Sequence, residues 1–271
     1  MKIAPSLFLA FACAAFSLLP SMAEPEQPAR VRYTGELTRE FRLGPGEQAE
    51  GELVLQNPSA TQSCSARIYQ TDYQYAADGS AAYDAPGSTA RSNAAWIEID
   101  DHQPELKPGE TRAIPFKITL PREVVLRGTY WSMIMVEPLS IEPASAAPGT
   151  MVVKSVIRYG IQIVVQAGNA EARPQFSRQQ ITTENGRRIL HLDLANTGEY
   201  WLRPKMELRL FDGRGHAVAV LPGKTQHVFP GTSVRLLFDL ATLAHGDYLA
   251  LIVLDNGDQL FGAQYRFRIE D

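Results

Sequence analysis

Apolar and polar residues alternate most regularly between Met151 and Val165. Every second residue of this stretch is apolar or aromatic apart from one serine, and the series is Met151, Val153, Ser155, Ile157, Tyr159, Ile161, Ile163 and Val165. A period of two is typical of a β-strand, because successive side chains point to opposite faces of the sheet. At about 3.3 Å per residue such a strand would span roughly 50 Å. It must bend across two sheets or extend beyond its neighbours, and an extending strand with an apolar face can pair with another chain.

Shorter segments of the same kind precede this stretch at intervals of roughly ten residues, separated by Pro- and Gly-rich turns. This spacing, without an amphipathic helix, is typical of an antiparallel β-sandwich. The sequence predicts about seven strands ending near Ala167, and Pro115 predicts an edge or a bulge in its strand. The other predicted strands cover residues 36–43, 51–56, 64–75, 95–99, 112–120 and 128–136.

The second half of the chain repeats this organisation. Both halves have a strand that ends at an asparagine (Asn57 and Asn196), a later Pro-Gly turn, and a strand that begins Gly-x-Tyr. We therefore predict an all-β protein of two tandem immunoglobulin-like β-sandwich domains, at residues 24–168 and 169–271. A shared choice of turn residues without common ancestry is the alternative. The predicted strands here are 189–194, 205–211, 218–221, 234–240, 246–254 and 264–269.

The first 23 residues predict a cleaved signal peptide. Lys2 supplies a positive start, an apolar run follows from Leu7 to Leu19, and Ser21-Met22-Ala23 fits a small-x-small cleavage site. The apolar run is shorter than the ~18–20 residues of a membrane span. We expect an exported protein of the periplasm or extracytoplasmic envelope, without stable membrane insertion. Cys64 would be its only cysteine, so an intramolecular disulfide is not expected.

The charged residues indicate neither nucleic-acid binding nor catalysis. The formal net charge is −4, with both signs interspersed, whereas a nucleic-acid partner usually requires a basic patch. The five histidines lack metal-ligand spacing, and no nucleophile motif is present. Asp255, Asn256 and Asp258 are too few to surround calcium and instead predict a hairpin turn. We predict no enzyme activity, no catalytic residues, no metal and no cofactor.

Four segments of the first half, in this order, resemble the periplasmic pilus chaperones of chaperone–usher systems, the PapD-like family. A strand ending in asparagine, a mid-domain strand, a turn and a penultimate strand match, and they are Gly51–Asn57 (GELVLQN), Arg91–Ile97 (RSNAAWI), Leu106–Glu110 (LKPGE) and Gly128–Pro138 (GTYWSMIMVEP). The resemblance covers about residues 33–167. It implies a chaperone that lends alternating apolar residues of its last strand to an incomplete subunit sandwich, while basic residues anchor the subunit's C-terminal carboxylate.

Carried over to this chain, the resemblance implies two sets of partner-binding residues. The strand donors would be Met151, Val153, Ile157, Tyr159 and Ile161. The carboxylate anchors would be Arg39, Arg158 or Lys154, since arginine can hold a carboxylate in bidentate fashion. Ser155 interrupts the donor face, and the family has a lysine in the long strand that neither Lys154 nor Arg158 matches perfectly.

The second half resembles a different family more closely. Asn196–Pro204 (NTGEYWLRP), the turn Asp212–Gly215 (DGRG) and Gly246-Asp247-Tyr248 are similar to the second domain of WxL-interacting surface proteins. Two hypotheses therefore remain open. One is a periplasmic chaperone-like protein that binds secreted, pilin-like subunits by β-strand donation, with its site in the cleft between the domains. The other is an extracytoplasmic interaction module for a cell-surface protein or an envelope polysaccharide. The partner's identity, the oligomeric state and the interdomain angle do not follow from the sequence.

Overall fold

The computed structural model of the chain describes residues 29–123, 125–139, 157–224, 226–257 and 259–270. This part of the chain is built from strands and one short 3-10 turn, Ala94–Trp96. The strands of the first half are β1 (Arg32–Tyr33), β2 (Thr38–Leu43), β3 (Gln48–Gln56), β4 (Cys64–Tyr75), β5 (Ala81–Asp84), β6 (Ile97–Ile99), β7 (Glu105–Leu106), β8 (Thr111–Thr119), β9 (Gly128–Leu139) and β10 (Tyr159–Ala167). Those of the second half are β11 (Pro174–Glu184), β12 (Arg187–Asn196), β13 (Lys205–Asp212), β14 (Ala217–Pro222), β15 (Ser233–Asp239), β16 (Gly246–Asp255) and β17 (Leu260–Ile269).

The first domain is a sandwich of two sheets. One sheet has the order β1-β3-β8-β6, and the other has the order β2-β10-β9-β4-β5, with β7 also on β4. The chain changes sheet between Tyr33 and Thr38, so that β1 pairs with β3 in one sheet and β2 pairs with β10 in the other. The β2–β10 pair is parallel, whereas the other described strand pairs are antiparallel. Alternating inward residues such as Leu53, Ile114 and Ile163 form the core.

The second domain is a smaller sandwich with a core of its own. Its sheets have the orders β11-β12-β15 and β14-β13-β16-β17. Here the first strand does not change sheet, and β11 pairs with β12 along its whole length, with a bulge between Ser177 and Gln180. The core consists of inward-facing residues such as Leu192, Leu208 and Ile252. The prediction of an all-β fold of two sandwiches is confirmed. The predicted boundary after residue 168 stays a prediction, and it lies between β10 and β11.

Three expectations about strands need correction. The polar segment Pro174–Glu184 is a strand that the sequence did not predict, because its exposed edge position leaves few apolar residues. The long strand begins at Tyr159 within the described residues, so Ile157 and Arg158 lie outside it, while 151–156 are outside the described part. Pro115 lies in β8, which is not an edge strand. Its ring is tolerated because the paired part of β6 ends at Ile99, opposite Phe116.

Asn57, directly after β3, and Asn196, the last residue of β12, have the same structural role. Asn57 donates from Nδ2 to the carbonyl oxygens of Leu106 (3.2 Å) and Lys107 (3.0 Å), just before one Pro-Gly turn. Asn196 donates from Nδ2 to the carbonyl oxygen of Val228 (3.0 Å), just before the other Pro-Gly turn. Both side chains are fully buried, so each amide ties a strand end to the turn that precedes β8 or β15. The repeated pattern in the sequence thus corresponds to repeated geometry.

A third apolar cluster joins the domains. It contains fully or nearly buried residues of both, and they are Tyr73, Trp131, Met133 and Val164 from the first domain and Trp201 and Phe229 from the second. Phe229 lies between two indole rings, with ring centres 4.7 Å from Trp131 and 5.7 Å from Trp201. Offset aromatic stacking of this kind adds to the free energy gained from burial.

Hydrogen bonds surround this cluster. The Thr129 hydroxyl accepts a hydrogen bond from the backbone N–H of Trp201 (2.9 Å) and donates one to Gln166 Oε1 (2.7 Å). The backbone N–H of Thr129 donates to the carbonyl of Glu199 (2.8 Å), and the Arg91 guanidinium donates to the Glu199 carboxylate (2.9 Å). The apolar cluster and these bonds together fix the second domain on the outer face of the β10–β9 sheet.

Candidate functional site

The N-terminal end of β10 has an open side. β9 pairs with β10 from Tyr159 to Ala167, but β2 pairs only with Gln162 to Ala167. Between Tyr159 and Ile161, the side of β10 that faces away from β9 therefore has no paired strand among the described residues. Unpaired N–H and C=O groups at such an edge can accept a strand from another protein.

Soft and apolar side chains surround this open end. Ile157 is 55% exposed, and Tyr159 is half-buried with its ring centre 6.1 Å from that of Tyr33. Gly160 lies beneath two methionines, since a Cβ there would lie 2.9 Å from the sulfur of Met133 and 3.3 Å from that of Met135. Methionine adapts its shape easily, so this surface can adjust to a partner.

The predicted donor residues fall into three groups in the structure. Ile157 and Tyr159 lie at the open end of β10, whereas Ile161 is fully buried in the core of the first domain. The donor candidates Met151 and Val153, like the anchor candidate Lys154, lie outside the described residues. Of the described candidates, Ile157 and Tyr159 are therefore the two whose side chains a partner can reach without opening the core.

Arg158, one of the predicted anchors, is held by an intramolecular ion pair. Its Nε donates to Glu137 Oε1 at 2.8 Å, and Arg67 binds the other carboxylate oxygen of Glu137. The hydrogen bond from Arg67, with the charge of Arg158, lowers the pKa of Glu137 below its usual value. A partner's carboxylate would have to compete with Glu137 for Arg158.

Arg39 lies on β2 and borders a cavity of about 650 Å³ between the two sheets of the first domain. Burial raises the pKa of the Tyr33 phenol, and the charge of the nearby Arg39 offsets only part of that rise. Three carboxylates line the same cavity, those of Glu50, Glu52 and Asp100. Arg39 therefore has negative charge nearby without any partner protein.

A second cleft, of about 420 Å³, lies between the domains and contains two arginines that the sequence analysis did not single out. Arg203 forms an ion pair with Glu40 (2.8 Å) across the domain boundary. Arg42, three residues after Arg39 on β2, donates to the hydroxyl of Tyr200 (3.4 Å) and has no carboxylate partner in the described part of the chain. The alternation of side chains along β2 could have indicated that Arg42 lies on the outer face, because Glu40 and Arg42 point away from the core residue Phe41.

The described residues contain neither a metal-ligand cluster nor a membrane-spanning helix. No group of three or more His, Cys, Asp or Glu side chains within this part of the chain is arranged to hold a metal ion. No helix in the same residues is long and apolar enough to cross a membrane.

No protein-family model matches the chain, and no curated protein matches it. Among solved structures, it is similar to the class 5 fimbriae chaperone CfaA, with 11% identity over 86% of this chain and 98% of that chain and a TM-score of 0.49. It is also similar to a chain of the CsuC–CsuE chaperone–tip adhesion subunit pre-assembly complex from Acinetobacter baumannii (15% identity, 86% and 97% covered, TM-score 0.44). A chain of the SafA pilin–SafB chaperone complex from Salmonella enterica is similar too (14% identity, 89% and 98% covered, TM-score 0.42).

The resemblance to pilus chaperones expected from the sequence is thus confirmed, at low sequence identity. The resemblance of the second domain to WxL-interacting proteins stays a prediction.

Proposed function

We propose that this protein is a chaperone-like protein of the periplasm or extracytoplasmic envelope that binds a secreted, pilin-like subunit by β-strand addition. The proposal assigns it no catalytic role and no cofactor. The observation that carries the proposal is the open side of β10 at Tyr159–Ile161, next to the exposed side chain of Ile157. Main-chain hydrogen bonds at this edge would supply affinity, and alternating side chains would set the register.

A basic residue near this edge would hold the C-terminal carboxylate of the subunit. Arg39 and Arg42 are both proposed, because each lies on β2 and neither has a carboxylate within ion-pair distance in the described structure. Arg42 is favoured by its place in the cleft between the domains, where Arg203 already neutralises Glu40. Met151 and Val153 stay proposed strand donors and Lys154 a proposed anchor, and Arg158 would contribute only after release from Glu137.

The first experiment is recovery of the partner from the native extracytoplasmic fraction, followed by titration of the two purified proteins. Ile157→Asp should weaken binding at least tenfold, about 1.4 kcal/mol, because a charge at the donor strand opposes burial in the partner. Val220→Asp is the matched control, since Val220 lies in the second domain and is 57% exposed, close to the 55% of Ile157. Equal loss in both variants, or none in either, would contradict strand addition at β10.

The anchor is identified by a double-mutant cycle between this protein and the partner's C-terminus. Arg39→Ala and Arg42→Ala are each measured against the partner with a free and with an amidated C-terminal carboxyl group. The true anchor is the residue whose substitution weakens binding only when the carboxylate is free. Recovery of a surface protein or polysaccharide whose binding ignores Ile157, Arg39 and Arg42 would favour the interaction-module hypothesis instead.

A further inference from the structure

The strand β17 occupies in the second domain the place that β10 occupies in the first. Each follows the strand that begins Gly-x-Tyr, and each pairs with that strand in antiparallel fashion. In the first domain β2 covers the outer side of β10, because the chain changes sheet there. In the second domain β11 stays with β12, so β17 ends its sheet and no described strand pairs with its outer side.

Because no described strand pairs with the outer edge of β17, the side chains on its core-facing side are incompletely covered. Four of its five core-facing residues are only half-buried, the exception being Ile269, and they are Phe261, Ala263, Tyr265 and Phe267. A cavity of about 240 Å³ opens here between β17 and β11, where Ile181 and Leu190 lie close to Tyr265 and Phe267. Aromatic and aliphatic groups therefore reach solvent along a gap bounded by two strand edges.

The backbone of β17 is suited to receive a further strand. The hairpin before it closes with the N–H of Asn256 donating to the carbonyl of Gln259 (2.9 Å), and ten consecutive residues then pair with β16 without a bulge. In an antiparallel ladder, hydrogen-bonded and non-hydrogen-bonded pairs alternate. Counting from this bond, residues 260, 262, 264, 266 and 268 direct their N–H and C=O groups to the open side. None of them is proline.

The charges on the outer face of β17 favour an acidic side chain in any strand that pairs with it. Arg268 is engaged by Asp247 on β16 through two contacts, of 2.7 and 2.8 Å. Arg266 is exposed, stands opposite Leu249, and has no ion pair among the described residues. A strand added beside β17 would place its own outward side chains next to Arg266, where a carboxylate is favourable.

We propose that β17 is a second strand-addition site, specific for an extended peptide segment that alternates apolar with acidic residues. The apolar side chains would cover Tyr265 and Phe267, and an acidic side chain would pair with Arg266. The added strand would run parallel to β17, as β2 runs parallel to β10. This site is separate from the one proposed on β10 and does not depend on it.

The test uses the purified full chain and fluorescently labelled synthetic peptides, with binding followed by anisotropy. One peptide alternates valine with glutamate, a second has the same composition in two blocks, and a third alternates valine with lysine. The first should bind saturably and the other two at least tenfold more weakly. Gln264→Pro should reduce this binding at least tenfold, because it removes an N–H on the open side while keeping the ladder to β16. Gln264→Thr, which keeps the N–H, should bind like the unmodified protein.

Charge reversal provides a second test should Gln264→Pro fail to fold. Arg266→Glu should weaken binding of the valine–glutamate peptide at least tenfold and strengthen that of the valine–lysine peptide. The proposal is overturned if the valine–glutamate peptide does not bind, or if it binds equally to all variants. It is also overturned if the protein alone forms a dimer that Gln264→Pro dissociates, since the occupant of the edge would then be a second copy of the chain.

Discussion

Trp131 of the first domain stacks on Phe229 of the second, with ring centres 4.7 Å apart and ring planes 11° from parallel. Both side chains are almost completely buried, at 2% and 0% exposure. The relative orientation of the two domains is therefore held by side-chain packing as well as by the linker.

We expect Phe229→Ala to destabilise the protein by about 3–5 kcal/mol, the range for removing a fully buried phenylalanine. The loss should be accompanied by a changed tryptophan emission, because Trp131 and Trp201 both contact this ring. Urea unfolding followed by fluorescence measures both effects. Phe267→Ala, at a half-buried position far from the interface, is the control and should cost clearly less. An equal cost would show that Phe229 has no special role in joining the domains.

Thr129→Val should cost about 1–3 kcal/mol, because it leaves the backbone N–H of Trp201 and the Oε1 of Gln166 without their hydroxyl partner. Valine has nearly the shape of threonine, so packing changes little. Thr129→Ser keeps the hydroxyl and should retain most of the stability. If the serine variant loses as much as the valine variant, the methyl group rather than the hydroxyl is what matters.

Replacing Asn57 with aspartate should destabilise the protein more than replacing it with alanine. The Asn57 Nδ2 faces the carbonyl oxygens of Gln62, Leu106 and Lys107, so an aspartate would bring a buried negative charge against three acceptors. Alanine leaves unsatisfied groups, at about 1–3 kcal/mol. Thermal unfolding of both variants checks the order. Greater stability in Asn57→Asp than in Asn57→Ala would mean that the three carbonyls find other donors.

His227 should make stability depend on pH. Its ring lies 4.6 Å from that of Trp201, and burial, with the charge of Arg203, lowers its pKa. In the unfolded chain the imidazole of His227 is protonated at about pH 6.5, whereas in the folded chain it is protonated only at lower pH. The free energy of unfolding should therefore fall as the pH drops from about 6.5 through the folded pKa.

Denaturation curves of the wild type and His227→Gln over this pH range measure the effect. The variant should lose less stability on acidification. Parallel curves for the two proteins would show that His227 does not titrate differently on folding.

The sequence predicted the strands whose buried residues alternate, because an inward-facing row must be apolar. It did not predict β11, whose edge position exposes residues such as Gln179 and Gln180, nor the change of sheet between β1 and β2. The surroundings of the arginines on β2 were harder to predict. Alternation places Arg39 and Arg42 on opposite faces of the strand, but only the fold shows which cavity each of them lines.

The turn of the first domain that begins at Lys107 has its counterpart in the turn that begins at Phe229, since each first carbonyl accepts the N–H of the residue three positions on. At this turn position the first domain has Lys107, which is exposed to water, whereas the second domain has Phe229, which packs against the first domain. The two halves are therefore not interchangeable modules. Residues 169–271 produced alone would expose the face that now covers Trp131, and such a fragment would tend to self-associate.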